Sequence, residues 1–328
     1  MKDVRMARGA ATIVNKCTKI RPGEQVVIVT EAAKMSIAET LAEAVVAAGA
    51  EPEIIAMIPR ERDGQEPPAP IAAAMKTADV FFCVVGKSIT HTNAVKDAGK
   101  EGARGLVLTH FTEEMMYKGG ITADFPAIAP ICKAIAATLA GSEEVHLTTT
   151  FGTDLRYSAR GRRGNALYGV VEPGQFSTIP TIEANVSPLE GTANGTIVAN
   201  ASVPYLGIGV LKEPVRCEVK DGIITSMTGG EQAMALKADL DAKGDPMVYN
   251  VAEMGIGLNP ECRFCGFMLE DEGVCGSVHI GIGTSITLGG VVKTACHYDL
   301  IMTGATVVAD GKTLIDNGRV CTENLGLE

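Results

Sequence analysis

Short β-branched runs alternate with amphipathic helical segments through the first 111 residues, and that alternation limits the fold more than any other feature of the chain. QVVIVT (25–30) is a short β-branched run of the kind buried in a parallel sheet, and EIIAMI (53–58), VFFCVVG (80–86) and GLVLTHF (105–111) recur as further strand-like runs. Between them lie SIAETLAEAVVAAGA (36–50), PIAAAMKTA (70–78) and TNAVKDAGKEGA (92–103), which carry helical periodicity, as do residues 1–20. Ser36 with Glu39 three residues on predicts a capping box at the first of the three. Strand, helix, strand in repetition predicts a doubly wound α/β domain with a parallel sheet, expected over residues 1–144.

From residue 145 the period changes to two. VHLTTTFGTDLRYSARGR (145–162) alternates, and Asp221-Gly222 and Asp310-Gly311 each sit between apolar strand segments, which predicts two tight hairpins. A helix is expected near 231–243, and loops with a crossing connection in the Pro/Gly-rich stretch 170–205. Residues 145–328 therefore read as a β-rich α+β domain. A length of 328 residues accommodates two such domains.

Composition narrows the function classes. The chain has 46% hydrophobic residues, net charge −10 and no basic block, which argues against nucleic acid. Aromatic residues are 4% with no Trp, and no run approaches the roughly 18 apolar residues of a membrane span. No secretory or transit pattern opens the sequence, and the nine cysteines suit a reducing compartment, so a cytoplasmic protein is expected.

Chemistry concentrates in the last third. His297-Tyr298-Asp299 puts an imidazole and a carboxylate two residues apart, on one face if the segment is a strand. Glu272 and His279 lie in LEDEGVCGSVHIGIG (269–283), and Glu253 interrupts the apolar run VAEMGIGLNP (251–260). Glu183 and Glu190 occupy IEANVSPLEGTANG (182–195). Few cations stand near these acids, and a buried carboxylate must be neutralised, paired or coordinated. Carboxylates and imidazoles gathered this way suit Zn, Mn, Fe or Co.

GIGLNP, LEDEGVCGSVHIGIG, the Gly289-Gly290 pair and ACHYDLIM (295–302), in that order, resemble the C-terminal half of the thermophilic aminopeptidase family, the aminopeptidase T and S type. The resemblance implies a two-domain, dimeric metallohydrolase of a peptide or small amide C–N bond. It implies one or two Zn, Co or Mn ions held by Glu183, Glu253, Glu272, His279, His297 and Asp299, with Glu183 or Glu253 as general base for a metal-activated water. The same superfamily contains 2,5-dihydroxypyridine 5,6-dioxygenases, which use one Fe(II) on a 2-His-1-carboxylate set; their second histidine aligns with Glu253 here. Ile286 stands where the peptidases carry a tyrosine, and the chain is shorter than they are. The expected activity is therefore hydrolytic, with the Fe(II) dioxygenase as the alternative and a binding homologue without turnover as a third.

Weaker signals have plainer readings. Cys262 and Cys265 form a C-x-x-C with Cys275 and Cys296 nearby, read as packing or a structural zinc. Gly86-Lys87-Ser88 follows a strand, but Phe81 stands where a phosphate loop needs glycine, so nucleotide binding is not expected. His91 and His110 end first-domain elements as caps or cleft residues, and Arg160, Arg162 and Arg163 form either a solvated turn or forks for an anionic group of a small-molecule or peptide substrate.

Overall fold

A computed structural model describes residues 4–90 and 92–327. The chain is mixed α/β, with a parallel sheet early and antiparallel sheets later. Two compact units form: Met1–Ala127 with Tyr168–Pro180, and Ile128–Leu167 with Thr181–Glu328. The change of period at residue 145 falls inside the second unit, and the first unit takes back a segment from what the sequence pattern assigns to the later domain.

In the first unit, strands Glu51–Met57, Gln25–Glu31, Val80–Val85, Arg104–Thr109 and Phe176–Thr178 lie in that order, all parallel. Val27, Val29, Cys83, Val85 and Val107 face one apolar cluster with Ile71 and Met75 of helix Ala69–Thr77 and Val95 of helix Asn93–Lys100. The expected capping box is absent. Helix Met35–Ala47 starts one residue before Ser36, and the Ser36 hydroxyl donates instead to the Glu113 carboxylate. At the end of Val80–Val85, a side chain on Gly86 would come within 3.0 Å of Glu31 Oε2, so an acid faces the turn that a phosphate would need. His91 lies outside the described residues. His110 follows Arg104–Thr109 with φ 56°, its N–H bonded to the Val85 carbonyl at 2.9 Å.

One ion pair anchors the start of this unit. The Arg104 guanidinium, 5% exposed, donates to both Glu24 oxygens at 3.0 and 2.7 Å and to the carbonyls of Thr18 and Lys19 at 2.6 and 3.2 Å.

The second unit holds two antiparallel sheets. The eight-stranded sheet contains both expected Asp-Gly hairpins: Val215–Lys220 with Ile223–Thr228, and Ala305–Ala309 with Lys312–Asp316. Asp221 and Asp310 take φ 50° and 46°, the left-handed conformation such two-residue turns require. Helix Glu231–Ala242 forms near its expected place. The stretch 170–205 is more than connection, because it contains the buried strand Glu183–Val186, whose four residues are too few to show a period. That strand belongs to a seven-stranded sheet ordered Gly209–Val210, Ser202–Val203, His297–Met302, Val278–Gly283, Val251–Gly257, Glu183–Val186 and Gly164–Leu167. Among the described residues no single helix is long and apolar enough to cross a membrane.

Removing one partner of a buried pair strands the other charge. Glu24→Ala is expected to lower stability by about 3 kcal/mol, measured by urea unfolding; a change within the scatter of surface substitutions would contradict the role given to this pair.

Candidate metal centre

Four neighbouring strands of the seven-stranded sheet build the centre by parity. Gly255 pairs with His279, Gly281 with both Glu253 and Asp299, Gly283 with His297, and Gly257 with Glu183. A register shift between Val251 and Glu253 sets this alignment. Side chains alternate along a strand, so Glu183, Asn185, Glu253, His279, His297 and Asp299 share one face. Ala184, Val186, Met254, Ile256, Ile280, Ile282, Leu300 and Met302, wholly buried, take the other. The glycines on the polar face are vacancies for the imidazoles. A Cβ on Gly255 would meet His279 Nε2 at 2.1 Å, and one on Gly281 would meet His297 Nε2 at 2.6 Å.

The side chains converge. His297 Nε2 lies 2.9 Å from Glu253 Oε2 and 3.3 Å from Asp299 Oδ1; His279 Nε2 lies 3.5 Å from Glu183 Oε2 and 3.9 Å from Glu253 Oε1. Two donor clusters result, Glu183 with Glu253 and His279, and Glu253 with His297 and Asp299, sharing Glu253. Asn185 donates to Glu183 Oε1 at 2.9 Å, leaving Glu183 Oε2 without a hydrogen bond; Asp299 Oδ1 and His279 Nδ1 also lack one.

The His297 ring is the most telling. Its Nδ1 lies 2.8 Å from the Thr284 carbonyl, which can only accept, so Nδ1 carries a proton. In the neutral ring Nε2 then presents a lone pair to two carboxylate oxygens. Only a proton or a metal ion between them makes that arrangement favourable. The donor set, with its orphaned buried oxygens, fits a divalent metal.

Protonation follows the same electrostatics. Burial disfavours the charged form of His279, but contact with Glu253, Glu183 and Asp299 outweighs it and lifts the pKa to about 9. His297 is raised well above its ordinary value against the same burial, chiefly by Asp299 and Glu253. Burial raises Glu183 to about 7. Burial also acts on Glu253 and Asp299, yet the two imidazoles hold both below the ordinary carboxylate range. Glu272 is pushed well above that range by burial and by Asp299 and Glu183.

Glu272, although 8% exposed, belongs to neither donor cluster; it follows the short helix Met268–Asp271 and is held by Tyr205, whose hydroxyl lies 3.2 Å from Oε1. Tyr205 also donates to Asp299 Oδ2. Sequence reasoning missed this tyrosine, 94 residues from Asp299. Ile286, at the place of the peptidase tyrosine, is 49% exposed in a 3-10 turn and brings no hydroxyl. Glu190 is not among the converging acids, because it forms an ion pair with Arg162 and accepts from the Val291 N–H at 2.9 Å. Arg162 also donates to the Gly289 carbonyl at 2.8 Å and Arg163 to that of Thr287 at 3.2 Å, so both are tied into loops, while Arg160 lies exposed 3.5 Å from Glu143. No disulfide joins the cysteines, and among the described residues no cysteine belongs to either donor cluster.

Residues 10–322 match the model of the NicX family, 2,5-dihydroxypyridine 5,6-dioxygenase. The chain belongs to this family. A curated relative, 2,5-dihydroxypyridine 5,6-dioxygenase of Pseudomonas putida KT2440, is 26% identical over 198 residues, and the match spans 57% of each protein, little more than half the length of that relative. The solved structure of 2,5-dihydroxypyridine dioxygenase from Pseudomonas putida KT2440 superposes with TM-score 0.81 at 18% identity over 98% of both chains. Wild-type AmpT from Thermus thermophilus superposes with TM-score 0.70 at 17% identity over 97% of this chain and 99% of its own. These two likenesses establish the shared fold. The family match supports an enzyme but corrects the hydrolytic expectation: both the family and the curated relative are described as 2,5-dihydroxypyridine 5,6-dioxygenase, and the likeness to the aminopeptidase is one of fold. The acids and imidazoles alone suit either chemistry, which is why the sequence motifs led to the hydrolytic reading.

Two tests follow. Gly255→Ala drives a methyl into the His279 ring and is expected to cost about 1–3 kcal/mol together with metal affinity; unchanged affinity by metal titration would show that the His279 position is immaterial. The second concerns pH. The folded pKa of His279, about 9, exceeds its ordinary 6.5, so its stabilisation is complete below 6.5 and is lost as pH rises through 9; Glu183, raised to about 7, loses its own as pH rises through 7. Glu253 and Asp299, already ionised in both states across this window, add no slope. The chelator-treated protein should therefore melt at falling temperature from pH 6.5 to 9, and a flat profile would contradict the assigned protonation.

Proposed function

We propose that this chain is a metal-dependent, ring-cleaving dioxygenase acting on a dihydroxylated N-heteroaromatic substrate of the 2,5-dihydroxypyridine class, with one Fe(II). His297 Nε2, set against two buried carboxylate oxygens while Nδ1 is taken up by the Thr284 carbonyl, carries the reading, together with membership of the family. His279 and His297 would supply the two imidazoles, and Glu253, whose two oxygens lie toward one imidazole each, the carboxylate between them; Asp299 would add a further oxygen. The second imidazole thus comes from strand Val278–Gly283, next to the strand where the dioxygenase histidine aligns. These residues would hold Fe(II), and iron, when bound, would supply the chemistry that brings oxygen to the substrate.

The remaining steps belong to the chain. The Thr284 carbonyl fixes the His297 tautomer, keeping Nε2 available. Glu183, held near 7 by burial, with Oε1 anchored by Asn185 and Oε2 without a hydrogen bond, would take the proton of a substrate hydroxyl as the ring binds in its anionic form. Buried aliphatic side chains on the opposite sheet face keep water from approaching through that side.

Anaerobically purified protein loaded with Fe(II) should consume one O2 per molecule of 2,5-dihydroxypyridine opened, and stop when oxygen is removed or Zn(II) replaces iron. His297→Ala should abolish both iron binding and oxygen uptake while keeping the wild-type circular dichroism. Ring opening without oxygen, or full iron occupancy in His297→Ala, would overturn the assignment.

A further inference from the structure

Tyr205 arrives at the candidate centre from outside the strands that build it. It follows Ser202–Val203 on a tight turn, its N–H on the Val203 carbonyl at 2.8 Å and its own carbonyl accepting from Ile208 at 2.9 Å, with Leu206 at φ 58°. Its ring packs on that of Tyr298, centroids 5.0 Å apart. Tyr298 is held in turn by the Lys243 ammonium over its face and by its hydroxyl on Asp239 at 3.0 Å. The turn and the packed Tyr298 ring, independent of the Tyr298 hydroxyl, aim the phenol of Tyr205 at Asp299 and Glu272 together.

A phenol has one proton, and here it goes to Asp299 Oδ2. The other oxygen, Oδ1, has no hydrogen bond and faces His297 Nε2 at 3.3 Å. The hydroxyl thus decides which oxygen of Asp299 is free. The same phenol oxygen sits 3.2 Å from Glu272 Oε1, and Glu272 stays outside both donor clusters. We propose that Tyr205 is a positioning residue that fixes Asp299 as a one-oxygen ligand and keeps Glu272 out of the ligand set. The inference rests on the metal reading given above and deepens it by assigning the ligand mode of Asp299 to a residue.

Co(II) added alone to the full metal-free chain reports both points, since its visible absorption responds to coordination number. The wild-type chain is expected to bind one Co(II). Tyr205→Phe, which deletes only the hydroxyl, should bind about 10–100-fold more weakly, with an absorption spectrum altered toward higher coordination as Asp299 turns to offer both oxygens. Tyr298→Phe, which removes a neighbouring hydroxyl from the same ring pair, should leave affinity and spectrum near wild type. Identical Co(II) affinity and spectrum in wild type and Tyr205→Phe would overturn the proposal, as would an equal loss in Tyr298→Phe, which would mean general loosening. A wild-type chain that binds one Co(II) but opens no ring leaves the role of Tyr205 standing and removes the dioxygenase reading, whereas a chain that opens the ring and shows no Tyr205 effect does the reverse.

Discussion

Three carboxylates and two imidazoles are held on one face of a single sheet with no lysine or arginine among them, and the second unit is organised around making that tolerable. Taking each charge out of water costs several kcal/mol. The cost is offset in part by Asn185 on Glu183, by Tyr205 on Asp299, and by the imidazoles on Glu253 and Asp299. What is left over, the free oxygens of Glu183 and Asp299, has a divalent cation as its natural partner. Folding and ligand binding are therefore linked at this face, because ions that neutralise the cluster also stabilise the sheet that carries it.

Much of this was legible in the chain and some was not, for reasons that separate by distance. The parallel sheet showed itself because its strands are continuous apolar runs, and the two Asp-Gly hairpins because the turn residues are local requirements. Glu253, His279, His297 and Asp299 stood out because each is a polar residue in a strand that otherwise buries everything. Glu272 stood out for the same reason, but its oxygen points to a phenol and not to the imidazoles. The capping box at Ser36 failed because a carboxylate 77 residues away competes for the hydroxyl. Glu190 looked unpaired only because Arg162 lies 28 residues back in another segment. Tyr205 left no local signal at all.

The class of reaction was the least legible part. A hydrolase that activates water and an oxygenase that binds oxygen both need imidazole and carboxylate donors on a rigid support, and the strand motifs around His279 and His297 encode that support. What separates the two is not written in a strand pattern. Comparison along nearly the whole chain, and not the motifs, placed it in the NicX family.

The register shift between Val251 and Glu253 has a consequence for assembly of the sheet. Because polar and apolar residues alternate on three adjoining strands, sliding any one of them by a single step would exchange its whole set, turning acids into hydrocarbon and exposing aliphatic side chains to charge on the opposite face. Mispairing is thus penalised twice at each position. The electrostatics that prepare this face for chemistry also act as a proofreader during folding, so selection on catalysis and selection on foldability pull on the same few residues.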